Sequence, residues 1–192
     1  MKIKVVALAV AVSVVMSVGI AGAAQASSVA RSQISVEGTT AAPTGEWVDS
    51  AGYIRVPQSE LQPLVGTQSP AQVSAVIDSG KPYNAIFDTT TQKYIAAAYA
   101  KKAAFRPLTI VTGCGRSGEA TVDQMVSGGG RATCYSGTGS KTVNLPNTYY
   151  LSAGAYLTTL WYGPGAIYGV YAAAGNSIYL SPYITTEVIT RS

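Results

Sequence analysis

Between Lys141 and Glu187 the chain runs for 45 consecutive residues without an Asp, Glu, Lys or Arg. Small sheets with Tyr and Thr on their outer faces stay soluble without charge, and a binding face for sugar or protein, or membrane-seeking strands, are the alternatives. Turn formers break the stretch at short intervals: Pro146-Asn147, Gly163-Pro164-Gly165 and Gly175-Asn176. Between them Tyr156 to Tyr162 alternates with period two, Ile167 to Ala173 returns, and Ser177 to Leu180 and Ile184 to Thr190 complete the set. Upstream, Leu108 to Thr112, Ala120 to Val126, Thr133 to Tyr135 and Thr142 to Leu145 read as further strands. Many short strands at close spacing predict an all-β sandwich or small barrel over residues 106–192. The glycine and proline breaks argue against strands that span a membrane, so no stable membrane insertion is expected.

The N-terminus is of another kind. Lys2 and Lys4 precede an apolar run from Val5 to about Ala23, and Ala24-Gln25-Ala26 has the small-x-small form of a signal-peptidase site. Residues 1–26 are therefore expected to be a signal peptide and the protein to be secreted. Without Lys2 and Lys4 the formal charge falls from +4 to +2, too weak and dispersed for a nucleic-acid partner. In an exporting compartment the two cysteines, Cys114 and Cys134, are most simply one disulfide.

Residues 27–45 are mostly Ser, Thr, Ala, Gly and Pro and predict a flexible leader. Residues 46–105 predict a small mixed region, or a pro-segment removed near Lys101-Lys102. Within it, Glu46 to Val48 and Tyr53 to Val56 flank an Asp/Gly turn, and Ser69-Pro70 caps a short helix that Gly80 stops. Tyr83 to Phe87 and Tyr94 to Tyr99 form a hairpin around Asp88 to Gln92. A helix over Tyr94 to Ala104 competes, since its alanines favour that state.

The chain has no histidine, which removes Ser-His-Asp and Cys-His catalysis and most zinc sites. The carboxylates are few, and a glycosidase pair would have to join Glu119 or Asp123 with Glu187. No cofactor, no metal site and no enzymatic activity are expected. The candidate binding residues are instead a loop comprising Arg116, Ser117, Gly128, Gly129 and Arg131, and an aromatic face comprising Tyr149, Tyr162, Tyr168 and Tyr171. Trp161 shares a strand face with Leu157 and Thr159 and is expected in the core.

Cys114-Gly-Arg-Ser117, Cys134-Tyr-Ser-Gly-Thr-Gly139, Val143-x-Leu145 and Leu151-Ser-Ala-Gly154 together resemble the small secreted βγ-crystallin-like domains common in actinobacteria. Tyr156 followed by Trp161-x-Gly163 is similar to the aromatic and glycine signature of their Greek key. The resemblance covers about Leu108 to Ser192 and implies a Greek-key β sandwich with the cysteines paired; the family's calcium signature is degenerate at Asn147 to Ser152. Members include killer-toxin-like proteins and inhibitors of secreted proteases. The expected function is a secreted, non-enzymatic binding protein, with a protease inhibitor as its most concrete form and an extracellular protein or cell-wall polysaccharide as partner. An antimicrobial or membrane-active toxin and a carboxylate-dependent cell-wall hydrolase are the alternatives.

Overall fold

The computed structural model describes residues 34–42, 45–49, 52–103 and 118–192, with residues 38–41 described by their backbone. The signal peptide expected over residues 1–26, the strand expected at Leu108 to Thr112, Cys114, Arg116 and Ser117 lie outside the described residues. The elements are β1 (Ser35–Ala41), β2 (Trp47–Val48), β3 (Ile54–Arg55), α1 (Gln58–Leu61), α2 (Pro70–Ile77), β4 (Tyr83–Asp88), β5 (Lys93–Tyr99), β6 (Ala120–Val126), β7 (Gly129–Ser136), β8 (Gly139–Ser152), β9 (Thr158–Tyr162), β10 (Tyr168–Ala172) and β11 (Ser177–Arg191). A single 3-10 turn, Gln62–Leu64, follows α1. No helix among the described residues is long and apolar enough to cross a membrane.

The protein is mainly β, and among the described residues all strand pairs but one are antiparallel. One sheet runs in the order β1-β7-β6-β8-β11-β4-β5, and β9 and β10 branch from β11. The two longest strands cause the branching. β8 and β11 lose register between Tyr179 and Ile184 and again between Ile184 and Thr186. Pro146-Asn147 lies at the second shift, with Asn147 at φ 53°, and Ser181-Pro182 lies at the first. Bulges bend a strand and let it pass from one layer to another. The later part of β8 and the start of β11 therefore belong to a first layer with β1, β7, β6, β4 and β5, whereas the start of β8 and the end of β11 belong to a second with β9 and β10. Pro146-Asn147 was expected to end a strand; it bends one instead, because pairing with β11 resumes on both sides.

Two neighbouring rows across the first layer show how the core is divided. Val122, Leu151, Ile178, Ala85 and Ala97 stand in register on one face, all at most 1% exposed. They pack with Val73 of α2 and with Leu160, Val170 and Ile189 of the second layer. One residue along, Asp123, Tyr150, Tyr179, Ile86 and Ala96 stand on the other face. There Leu61 of α1, Trp47 and Val56 cover Tyr150, Tyr179, Ile86 and Ala96. β4 reads as a near-continuous buried run because both of its faces are covered.

Local signals carry the smaller elements. Ser69 and Gln72 form a reciprocal capping box with Pro70 in the first turn of α2, and Gly80 follows at φ +70°. In the β4–β5 turn the Asp88 carboxylate accepts hydrogen bonds from the Thr90 and Thr91 amides and the Thr91 hydroxyl, which lower its pKa. The alanines of β5 form a strand, not a helix, because β4 offers a partner along their full length. The Gln68 side chain closes the outer edge of β5: its amide donates to the Ala97 carbonyl at 2.9 Å and its oxygen accepts from the Ala97 amide at 3.0 Å.

Two features run across the boundaries read from the sequence. Ser35–Ala41, within the 27–45 leader, pairs antiparallel with β7; ladder hydrogen bonds use the backbone, so a strand needs no large apolar side chains. β4 and β5, from the 46–105 region, share a sheet with β6 to β11.

Gly154 leaves no room for a side chain. It sits at φ +67°, and a Cβ there would lie 2.0 Å from the Glu119 carbonyl oxygen. Gly154→Ala is expected to cost about 3 kcal/mol or more, read as a lower urea midpoint at unchanged slope.

Candidate functional site

The hairpin joining β6 to β7 turns on two residues, Ser127 and Gly128, since Val126 pairs directly with Gly129. Gly128 and Gly129 have φ of +102° and +127°, conformations that favour glycine. Arg131 is exposed and donates to the Gln124 side chain at 3.0 Å. Ala120 to Gln124, between this turn and residue 118, are buried strand residues. Gly128, Gly129 and Arg131 thus stand at a tight hairpin end, and β6 lies between it and residue 118; Arg116 and Ser117 lie outside the described residues. Cys134 is fully buried on β7, and no free cysteine is found among the described residues. Its pairing with Cys114 remains the expectation drawn from the sequence.

The tyrosines of the expected aromatic face are distributed over several surfaces. Tyr162 and Tyr168 are register partners with rings 5.8 Å apart, yet Tyr162 is buried while Tyr168 is 45% exposed. The Tyr162 hydroxyl meets the Gln92 side chain at 2.5 Å in the β4–β5 turn. Tyr171, 55% exposed, stands opposite Thr159, on the other side of the pleat from Val170. Tyr149 packs instead on Tyr183, ring to ring at 5.6 Å, where β8 and β11 both bulge.

Of the three candidate carboxylates, Asp123 and Glu187 stand on different sides of the core. Asp123 belongs to the buried row beside Tyr150, and the apolar core stands between that face and the second layer, which carries Glu187. Glu119 is buried and feels the charge of Arg191. Asp123 is 3% exposed, its Oδ1 makes no hydrogen bond, and burial pushes its pKa up to about 8. A carboxyl held protonated at neutral pH is a functional-site candidate in a cleft, but here Tyr150 and Tyr179, its neighbours in the row, lie under Trp47 and Val56. The consequence is one of stability. The folded pKa lies above the unfolded one, so this group leaves stability undiminished below about pH 4 and lowers it by up to about 1.4 kcal/mol per pH unit as the pH rises toward 8. Asp123→Asn, which mimics the protonated group, is expected to flatten this slope and raise the urea midpoint at pH 7.5.

One surface does gather groups suited to binding. On the outer face of the second layer, Tyr171, Thr159, Thr190 and Ser140 stand in one row across β10, β9, β11 and β8, with Gly169, Trp161, Val188 and Thr142 in the next. Each is exposed or half-buried, and none is charged. Sequence reasoning placed Trp161 in the core. It lies outside, because Leu160 and Tyr162 take the inward positions of β9 and Gly169 leaves space for an indole on the outer side. Its Nε1 donates to the Thr190 hydroxyl at 3.1 Å, and Ser140 and Thr190 are joined at 3.2 Å. Alternation within β9 divides its two faces, but only the pairing partners decide which face is covered.

Comparison with protein-family models, curated proteins and solved structures returned no match to this chain.

Proposed function

We propose that this is a secreted, non-enzymatic binding protein whose outer sheet face, uncharged over two rows of four residues, engages an extracellular macromolecule. The observation that supports it is that face itself: two in-register rows over four strands, solvent-facing and without a charged residue. Such a surface gains little from long-range electrostatics and depends on contact. The Greek-key βγ-crystallin-like kinship and the Cys114–Cys134 disulfide belong to the same proposal. The disulfide predicts a thiol count of zero before reduction and a loss of about 3 kcal/mol after it, measured by thiol titration and urea unfolding.

Incubation of the purified protein with secreted proteases and with extracellular polymers tests the reading. Saturable binding without product release is expected, weakened at least tenfold in the doubly substituted Thr142→Lys, Val188→Lys protein. Turnover of any substrate, or dye leakage from liposomes at micromolar protein, overturns it. Inhibition of a protease that persists in the doubly substituted protein moves the binding site to the cysteine-bounded loop.

A further inference from the structure

We propose that the ligand of this face is an extended neutral polysaccharide, held by stacking on Trp161 and by the hydroxyls of Ser140, Thr159 and Thr190. The inference rests on the binding-protein reading above and names its ligand class.

The indole orientation carries the argument. β9 lies between β10 and β11. A Cβ on Gly169 of β10 would meet Cε3 and Cζ3 of Trp161, both at 3.1 Å, while Nε1 reaches Thr190 of β11 at 3.1 Å. The ring system therefore spans from one neighbouring strand to the other and lies along the sheet. One of its faces rests on the glycine and the other is directed outward. A flat aromatic face fixed in this way matches the C–H face of a pyranose ring, and the hydrogen bond at Nε1 fixes it before any ligand arrives. Tyr171 is the diagonal neighbour across the β9–β10 ladder, about 7–8 Å away, near enough for a second ring of the same chain.

The polar groups fit the same ligand. Serine and threonine hydroxyls both donate and accept, as sugar hydroxyls do, and Ser140, Thr190 and Trp161 already form one hydrogen-bonded line across three strands. A charged polymer would find no counter-charge among the eight residues. Size argues against a protein partner. Four strands cover about 14 Å, and two rows add about 7 Å along them, whereas a stable protein interface takes roughly 800 Å² from each partner. A few sugar rings fill the smaller area.

Sedimentation of the purified protein with insoluble cellulose, chitin and mannan tests the proposal, with heparin-agarose and polygalacturonate as charged controls. Retention on at least one neutral polymer and not on the controls is expected, and the arm that binds distinguishes N-acetylated from plain sugars. Trp161→Ala and, separately, Thr190→Glu should each reduce retention at least tenfold. Thr142→Lys, at an exposed position that leaves the core intact, serves should either of these variants fail to fold, and it should act in the same direction. Soluble oligosaccharide from the retained polymer should perturb tryptophan fluorescence in the parent protein and not in Trp161→Ala. Retention on none of the neutral polymers, with saturable binding to an extracellular protein, overturns this proposal and leaves the binding-protein reading standing. Retention unchanged by all three substitutions also overturns it, and failure to bind any macromolecule removes both.

Discussion

Replacing Arg55 with Met is expected to destabilise the protein by about 3–5 kcal/mol, the usual result of removing one partner from a buried ion pair. Arg55 is wholly buried and pairs with Asp49 through Nε at 2.9 Å and through Nη2. The same guanidinium donates to the Gly175 carbonyl at 2.6 Å, the Asn84 side chain at 3.3 Å and the Tyr83 carbonyl at 3.4 Å. One side chain thus ties the β2–β3 hairpin to β4 and to the turn before β11. Its loss leaves the Asp49 carboxylate buried without the guanidinium. Urea unfolding measures the effect. The double variant Asp49→Asn, Arg55→Met should recover part of it, because the uncompensated charge is then gone; a double variant as unstable as the single one would show that the carbonyl contacts dominate.

Arg191→Met should cost about 4 kcal/mol, since hydrogen bonds to a charged group count for about 1.5–3 kcal/mol each and orphaned carbonyls add a desolvation penalty. Arg191 is 1% exposed although it is the penultimate residue. It donates to the carbonyls of Tyr135 and Gly137 at 2.8 Å and of Gly118 at 2.6 Å, and its guanidinium lies 5.1 Å from the centre of the Tyr156 ring. It therefore joins the end of β7, the chain entering β6 and the approach to β9. Arg191→Lys keeps the charge but loses the planar fork, so an intermediate loss is expected. Equal stability of Lys and Met variants would mean that the fork, not the charge, holds the three segments.

Much of the local structure was legible. The Ser69-Pro70 start of α2, the Asp88 turn and the strand Ala120–Val126 each rest on residues a few positions apart, and those interactions are set by neighbours in sequence. The charge-free run was legible too, and it supplies Thr142, Thr159, Trp161, Gly169 and Tyr171 of the candidate face. Neither buried arginine was recognised for its role. Arg55 and Arg191 stand in the sequence as ordinary strand-end cations, and no periodicity distinguishes them from solvated ones.

By itself the sequence determined a mainly β protein, its turns and most of its strand positions, because alternation and turn chemistry act over a few residues. The tertiary structure alone decided that β4 lies parallel on β11, more than ninety residues away, and that β8 and β11 bend from one layer into the other. It also decided that Trp161 faces outward over Gly169 and that Asp123 is buried beside Tyr150. Each strand presents two faces of known composition, and which one is covered depends on partners brought together by chain closure over long separations.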